Sequence, residues 1–310
     1  MKRLVCAILS AGMLSGLAIS CSLDENVYSN VSGDYIIDAD IACNVLNGVY
    51  RAMGTDGVYR QNLSMVFACP TDEYKGEGNH LTAQRAEMAG AFTASSSYVQ
   101  ATWQALYKVV YNANSFIETM AEKYDGFSSS DKPVIDVYVA EAKAIRALMN
   151  FELVRWFGNV PLIKTTAQSY TKDENVVQAA PEDVYAFIEK DLLEAIDALP
   201  WADDDEVRDD NSFRFSKGAA MGLLAKVYAT WAGYPLKDGS KWQNAADIAG
   251  ELVASGHHSL LSSFETLWKN SANSVWDPSE SLIEISYYSP TTNTGESGRV
   301  GKFNGVKSVI

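Results

Sequence analysis

The segment from Val134 to Phe157 constrains the fold of this chain more than any other. Read as a helix, it carries two apolar stripes. Val134, Val137, Tyr138, Ile145, Leu148, Met149 and Trp156 form one, and Ala140, Ala144, Ala147, Phe151 and Val154 form the other. A helix apolar on two sides is sandwiched between neighbours, so the rest of the chain must supply helices for both flanks. Gly158 suits a left-handed cap and Pro161 enforces the stop. Ser128 to Pro133 makes the break on the other side.

The neighbours are legible. Asp38 is placed to cap a helix with Ile41, Val45, Leu46, Val49 and Met53 on one face. Ser95, Ser96 and Ser97 open a second, in which Trp103, Leu106, Tyr107, Val110, Ala113, Ile117, Met120 and Tyr124 recur at three- and four-residue steps. Pro181 at a first helical position, with Glu182 and Asp183 behind it, starts another that carries Val184, Ile188, Leu192, Ala195 and Leu199 and ends at Pro200. Ser216 caps Lys217 to Ala232, whose Gly218, Ala219, Ala220, Gly222, Ala225 and Ala229 permit close helix approach. Lys241 to Ser255 follows, closed by Gly256. Each helix is too thin to bury its apolar face alone, and helices stacked pairwise in sequence are the logic of a tetratricopeptide-like solenoid. The fold class is therefore mostly α: a helical repeat scaffold with long loops and little strand. Residues 54–94 read as a long ordered loop, the kind that is usually functional in a compact domain. Leu282 to Tyr288 alternates like a short strand.

The N-terminus is a secretory signal. Lys2 and Arg3 precede an uncharged run from Leu4 to Ile19, the layout of a positive n-region and an apolar h-region. The run ends in Leu17-Ala18-Ile19-Ser20-Cys21, which resembles the lipobox of bacterial lipoproteins, with Ala18 where leucine is usual. Cleavage before Cys21 and lipidation of that residue follow. Residues 1–20 are then the signal peptide, 21–33 a lipidated tether, and 34–290 the helical domain. Cys6 leaves with the signal, and Cys43 and Cys69 remain. They can pair in an oxidising compartment or stay as buried thiols.

Hydrophobic residues make up 47% and charged residues 21% of the chain, with a formal charge of −14. That acidity argues against nucleic acid and against docking on anionic headgroups. No enzyme motif stands out. Gly76-Glu77-Gly78 lacks the third glycine of a dinucleotide loop, and His80, His257 and His258 are the only histidines. His257-His258 reads as a solvated turn. Asp203-Asp204-Asp205-Glu206 reads as a solvated linker, since it lacks the turn glycine of a calcium loop. No catalytic, metal or cofactor residue is assigned, although two placed carboxylates suffice for a glycosidase.

The stretch Glu141-Ala142, Arg146-Ala147, Phe151, Leu153-Val154-Arg155, Phe157-Gly158 and Val160-Pro161-Leu162-Ile163 resembles the signature of the SusD/RagB family of nutrient-binding outer-membrane lipoproteins. Asn47-Gly48-Val49-Tyr50 and Phe215 to Tyr228 are similar to other helices of that family, and Leu148-Met149-Asn150 departs from its tyrosines. The resemblance implies a non-catalytic lipoprotein on the cell exterior. Such a protein captures a nutrient, often an oligosaccharide, for a TonB-dependent (SusC-like) transporter. A helical scaffold that binds only protein, or a surface glycan hydrolase, are the alternatives. Family members continue well beyond Tyr288, so 291–310 would be the start of an incomplete C-terminal region.

Glu141, Arg146, Glu152 and Arg155 lie on the sandwiched helix, where buried charges are normally paired, so they are expected to fix packing. Ligand contacts belong on loops. Asp72, Glu73, Tyr74 and Asn79 in the first long loop, and Trp276, Tyr287 and Tyr288 near the end of the recognisable region, are the candidate binding residues.

Overall fold

The computed structural model describes residues 35–71, 90–93, 95–170, 176–204, 214–273, 275, 277, 279–285 and 287, with the side chains of 169–170 and 271–272 outside that set. The chain divides at Tyr35/Ile36, and the helical unit begins at Ile36. Cys21, Asp72, Glu73, Tyr74, Asn79, Trp276 and Tyr288 lie outside the described residues.

α1 spans Ala39–Met53, and Asp38 caps it by accepting the Ile41 N–H at 2.9 Å. α2 spans Ser97–Lys123 and α3 Asp131–Phe157. α3 starts three residues before Val134, with Pro133 inside its first turn. Proline is tolerated there because the N–H it lacks would have no helical partner. Gly158 ends α3 with φ +70° but ψ −116°, so the positive φ that favours glycine is present without the left-handed helical geometry. α4 (Thr166–Tyr170) is a single short turn. α5 (Pro181–Ala198) begins on its proline, and α6 (Lys217–Ala232) is capped by Ser216, whose Oγ accepts the Ala219 N–H. α7 (Lys241–Ser255) closes on Gly256 in the left-handed conformation, and α8 (Phe264–Ala272) follows.

α3 is the central plank. It packs against α2 on one side and α5 on the other, with α1 against both α2 and α3. α6 then stacks on α5, and α7 on α6. Both stripes of α3 supply core: Val137, Tyr138, Ile145 and Met149 from one, and Ala140, Ala144, Ala147 and Phe151 from the other, are buried, while Trp156 at the end of the first is exposed. The tetratricopeptide-like stacking expected from the sequence is the observed architecture.

Three local expectations need correction. Asp56–Arg60 and Asn62–Val66 are not loop but two π-helical turns, whose Val58, Leu63, Met65 and Val66 are buried. Second, the described part of 282–288 is irregular rather than strand; Leu282, Ile283 and Ile285 lie against the core instead. Third, His257-His258 is not a solvated turn. The His257 ring stacks on Trp201, with centroids 4.1 Å apart and planes within 11°, and its Nδ1 lies 2.8 Å from Asp203 Oδ1. His258 packs so closely on α6 that a Cβ at Gly218 would overlap its ring, and one at Gly222 would come within 2.6 Å of Leu282. The small residues of α6 thus admit side chains from the C-terminal segment as well as a helix. Cys43 and Cys69 are not joined in a disulfide, and Arg214 donates to the Cys43 sulfur at 3.4 Å.

Candidate functional site

The charged residues of α3 split into two groups by what they hold. Glu141 accepts both Arg214 Nε and Nη2 at 2.7 Å and the Tyr50 hydroxyl at 2.6 Å. Tyr50 in turn accepts the Phe215 N–H at 2.8 Å. Arg146 donates a fork to Asp191 at 2.7 and 2.8 Å, and a third bond to Asn114 at 2.8 Å. Burial pushes the Asp191 carboxyl up from its ordinary value, against the pull of Arg146. Burial, and then Glu141, push the Tyr50 phenol up. These pairs are sealed in the core and tie α1, α2, α5 and the start of α6 to α3. They hold the scaffold, with the charged partners buried.

The second group sits at the C-terminal end of α3. Glu152 Oε1 accepts the Tyr59 hydroxyl at 2.8 Å, and its Oε2 accepts the Trp156 indole N–H at 3.1 Å and pairs with Arg155. Trp156 is therefore fixed at its polar edge. Its ring lies against Phe67, centroids 5.3 Å apart, and Phe92 lies against Phe67 at 5.5 Å. Phe67 is the buried floor, at 8% exposure, whereas Trp156 and Phe92 are 39% and 40% exposed. Two aromatic surfaces thus face solvent on a rigid base. Arg155, its guanidinium 5.8 Å from the Trp156 ring, adds a donor beside them.

This cluster stands at the neck of the first long loop. A Cβ on Gly90, whose φ is +84°, would lie 3.7 Å from the Pro70 side chain. The chain therefore leaves at Pro70 and returns at Gly90 in one place, between Phe67 and Phe92.

Tyr287 is the one candidate binding residue among those described. Its ring packs on Gly54 just past α1. Its hydroxyl is buried, with no hydrogen-bond partner among the described residues. Burial pushes the phenol up to about 12, while Arg60 pulls it down. It lies close enough to Tyr59 to help raise that phenol, which burial and Glu152 also raise. Tyr287 and Trp156 therefore share neighbours through Tyr59 and Glu152. A groove of about 350 Å³ opens beside the same two residues, lined also by Phe151, Lys226, Leu282 and Ile285. Sequence reading did not single out Phe67, Phe92 or Trp156 as site residues. The signal available was two phenylalanines in a stretch otherwise polar and aperiodic.

Among the described residues no helix is long and apolar enough to cross a membrane, and no group of three or more His, Cys, Asp or Glu is placed to hold a metal.

A family model described as starch-binding, associating with the outer membrane, matches residues 23–229. The chain belongs to the SusD-like family. A solved SusD homologue from Bacteroides thetaiotaomicron is 49% identical, superposes with a TM-score of 0.83, and is matched over 89% of this chain and 52% of its own length. A solved SusD-like protein described as laminarin-binding is 28% identical with a TM-score of 0.61, matched over 79% of this chain and 50% of its own. A SusD-like protein of Bacteroides ovatus is 28% identical over 198 residues, 63% of this chain and 34% of that protein. The chain spans about half the length of these solved relatives and about a third of the Bacteroides ovatus protein.

Proposed function

We propose that this SusD-like chain is a non-catalytic, cell-surface lipoprotein, anchored through Cys21, that captures an oligosaccharide for a TonB-dependent transporter. The observation that carries the reading is the Phe67–Phe92–Trp156 cluster at the neck of the 71–89 segment. Sugars present flat C–H faces that stack on exposed rings and hydroxyls that need fixed donors and acceptors; Trp156, Phe92 and Arg155 offer both on a rigid support. The laminarin-binding relative supports a neutral glucan as the class of ligand. The loop residues Asp72, Glu73, Tyr74 and Asn79 complete the site in this reading, with Trp276, Tyr287 and Tyr288 contributed from the C-terminal side.

Calorimetric titration with laminari-oligosaccharides tests it, with products followed by chromatography. Trp156→Ala is expected to weaken binding about tenfold or more, since aromatic anchors dominate such contacts, and the sugar should be recovered intact. Unchanged affinity in Trp156→Ala and Phe92→Ala would move the site elsewhere, and cleavage products would end the non-catalytic reading.

A further inference from the structure

We propose that the groove between residues 162–168, 177–179 and α5 is a second saccharide site, selective for an acidic sugar unit. It has a volume of about 720 Å³, within the range of small-molecule sites. Its lining shares no residue with the Trp156 cluster or with the groove beside it. Its apolar lining comes from the half-buried Leu162, Ala179 and Phe187, with the exposed Val177 at the rim, and its polar groups are Lys164, Lys190, Gln168 and Asp183.

Lys164 carries the argument. Its backbone is held from both sides: its N–H donates to Gln168 Oε1 at 2.7 Å, and its carbonyl accepts from Arg146 at 3.5 Å. Its ammonium lies 5.5 Å from the Phe187 ring centroid, and no carboxylate pairs with it among the described residues. Arg146, on the same ring at 4.9 Å, is already consumed by Asp191 and Asn114. Lys190 reaches Glu194 only at 3.8 Å, and Glu194 is held more closely by Lys143 at 2.8 Å. The protein carries a formal charge of −14, whereas the groove's described lining holds two lysines and one carboxylate. The Phe187 ring, with the Lys164 ammonium over it and Lys190 on the same helix, matches the two sides of a uronic acid, a C–H ring face and a carboxylate. A neutral sugar leaves the Lys164 ammonium unanswered and Lys190 only loosely engaged by Glu194, and a bare anion leaves the Phe187 face unused. Asp183 adds an acceptor for a ring hydroxyl.

The sugar half of this assignment rests on the glycan-capture reading above. Calorimetry with tetragalacturonate, laminaritetraose and tetraglutamate against the chain, Lys164→Gln, Lys190→Gln, the double variant and Trp156→Ala separates the two. Tetragalacturonate should bind the chain, lose about tenfold for each lysine removed, weaken in 0.5 M salt by roughly what charge screening dictates, and be indifferent to Trp156→Ala. Laminaritetraose should show the reverse pattern. Circular dichroism melting would confirm that the lysine variants fold. No binding of tetragalacturonate, full binding by the double variant, loss in Trp156→Ala, or equal binding of tetraglutamate would each overturn the assignment. Loss of laminaritetraose binding alone would strike the first site and leave this one standing.

Discussion

Glu141 shows how much one side chain of α3 decides. It is buried, it accepts two bonds from Arg214 and one from Tyr50, and Arg214 also lies 4.5 Å from the Tyr138 ring. Taking two charges out of water offsets much of the attraction between them, so the pair adds little net stability over apolar groups of the same shape. Breaking it is another matter, because the guanidinium is then buried without its carboxylate. Glu141→Leu is therefore expected to cost about 3–5 kcal/mol. Combining it with Arg214→Met should recover most of that loss. Urea unfolding of the two variants checks this; a single substitution that costs less than about 1 kcal/mol would show the pair to be dispensable. The residue was legible in the sequence as a buried charge, but its partner was not. Arg214 lies 73 positions away, and Asp191, the partner of Arg146, lies 45 away. Nothing in a local pattern names a partner on a different element.

At the scale of elements, spacing and caps were enough wherever a helix had one clear start signal. Asp38, Pro181 and Ser216 each stand where the structure uses them. The π-helical turns at 56–66 escaped because five residues are too few to show a period, and Gly57 and Asn62 suggest a loop. Gly57 is there for contact: a Cβ on it would come within 2.5 Å of the Ala105 Cβ and 3.0 Å of the Ala101 carbonyl, both on α2. Helix backbone cannot withdraw as a flexible side chain can. Gly57→Ala should therefore destabilise by about 1–3 kcal/mol and loosen the turns that carry Tyr59. Gly48 in α1 is the contrast, with nothing within 4 Å of its added Cβ. There alanine should be neutral or stabilise by up to about 1 kcal/mol. Thermal melting of both variants tests the pair, and the reverse order would mean that the packing of the turns on α2 is wrong. The same long range hid the candidate site. Phe67, Phe92 and Trp156 are joined only by the closed neck of the 71–89 segment and the end of α3, which no window of sequence spans. The flanking loop was recognisable by its length and composition, and so its residues were proposed while their aromatic base was not.

The molecule as a whole is built around tyrosines that the fold keeps protonated. Burial raises the phenols of Tyr50, Tyr59, Tyr107, Tyr138, Tyr185, Tyr228 and Tyr287. For Tyr50, Tyr59 and Tyr228 an accepting carboxylate adds to the effect: Glu141, Glu152 and Glu189. Tyr138 and Tyr287 are pushed up to about 12. In the unfolded chain each of these phenols ionises near about pH 10. Above that pH the unfolded state has released protons that the folded state still holds, so stability must fall as pH rises. The contribution is complete below the unfolded value and is lost as pH climbs through the folded ones. The melting temperature should therefore hold steady up to about pH 10 and then drop steeply. Tyrosinate absorbance should rise in two steps, first the exposed phenols, then the buried set together with loss of helical signal. Tyr287→Phe isolates one contribution, because its hydroxyl is buried without a partner among the described residues. Removing that hydroxyl should leave stability at neutral pH unchanged or slightly higher and make the alkaline drop shallower. A single tyrosinate step near pH 10 with no loss of helix would mean that these phenols reach water, and that the core joining α1, the π-helical turns and α3 is more open than the packing here requires.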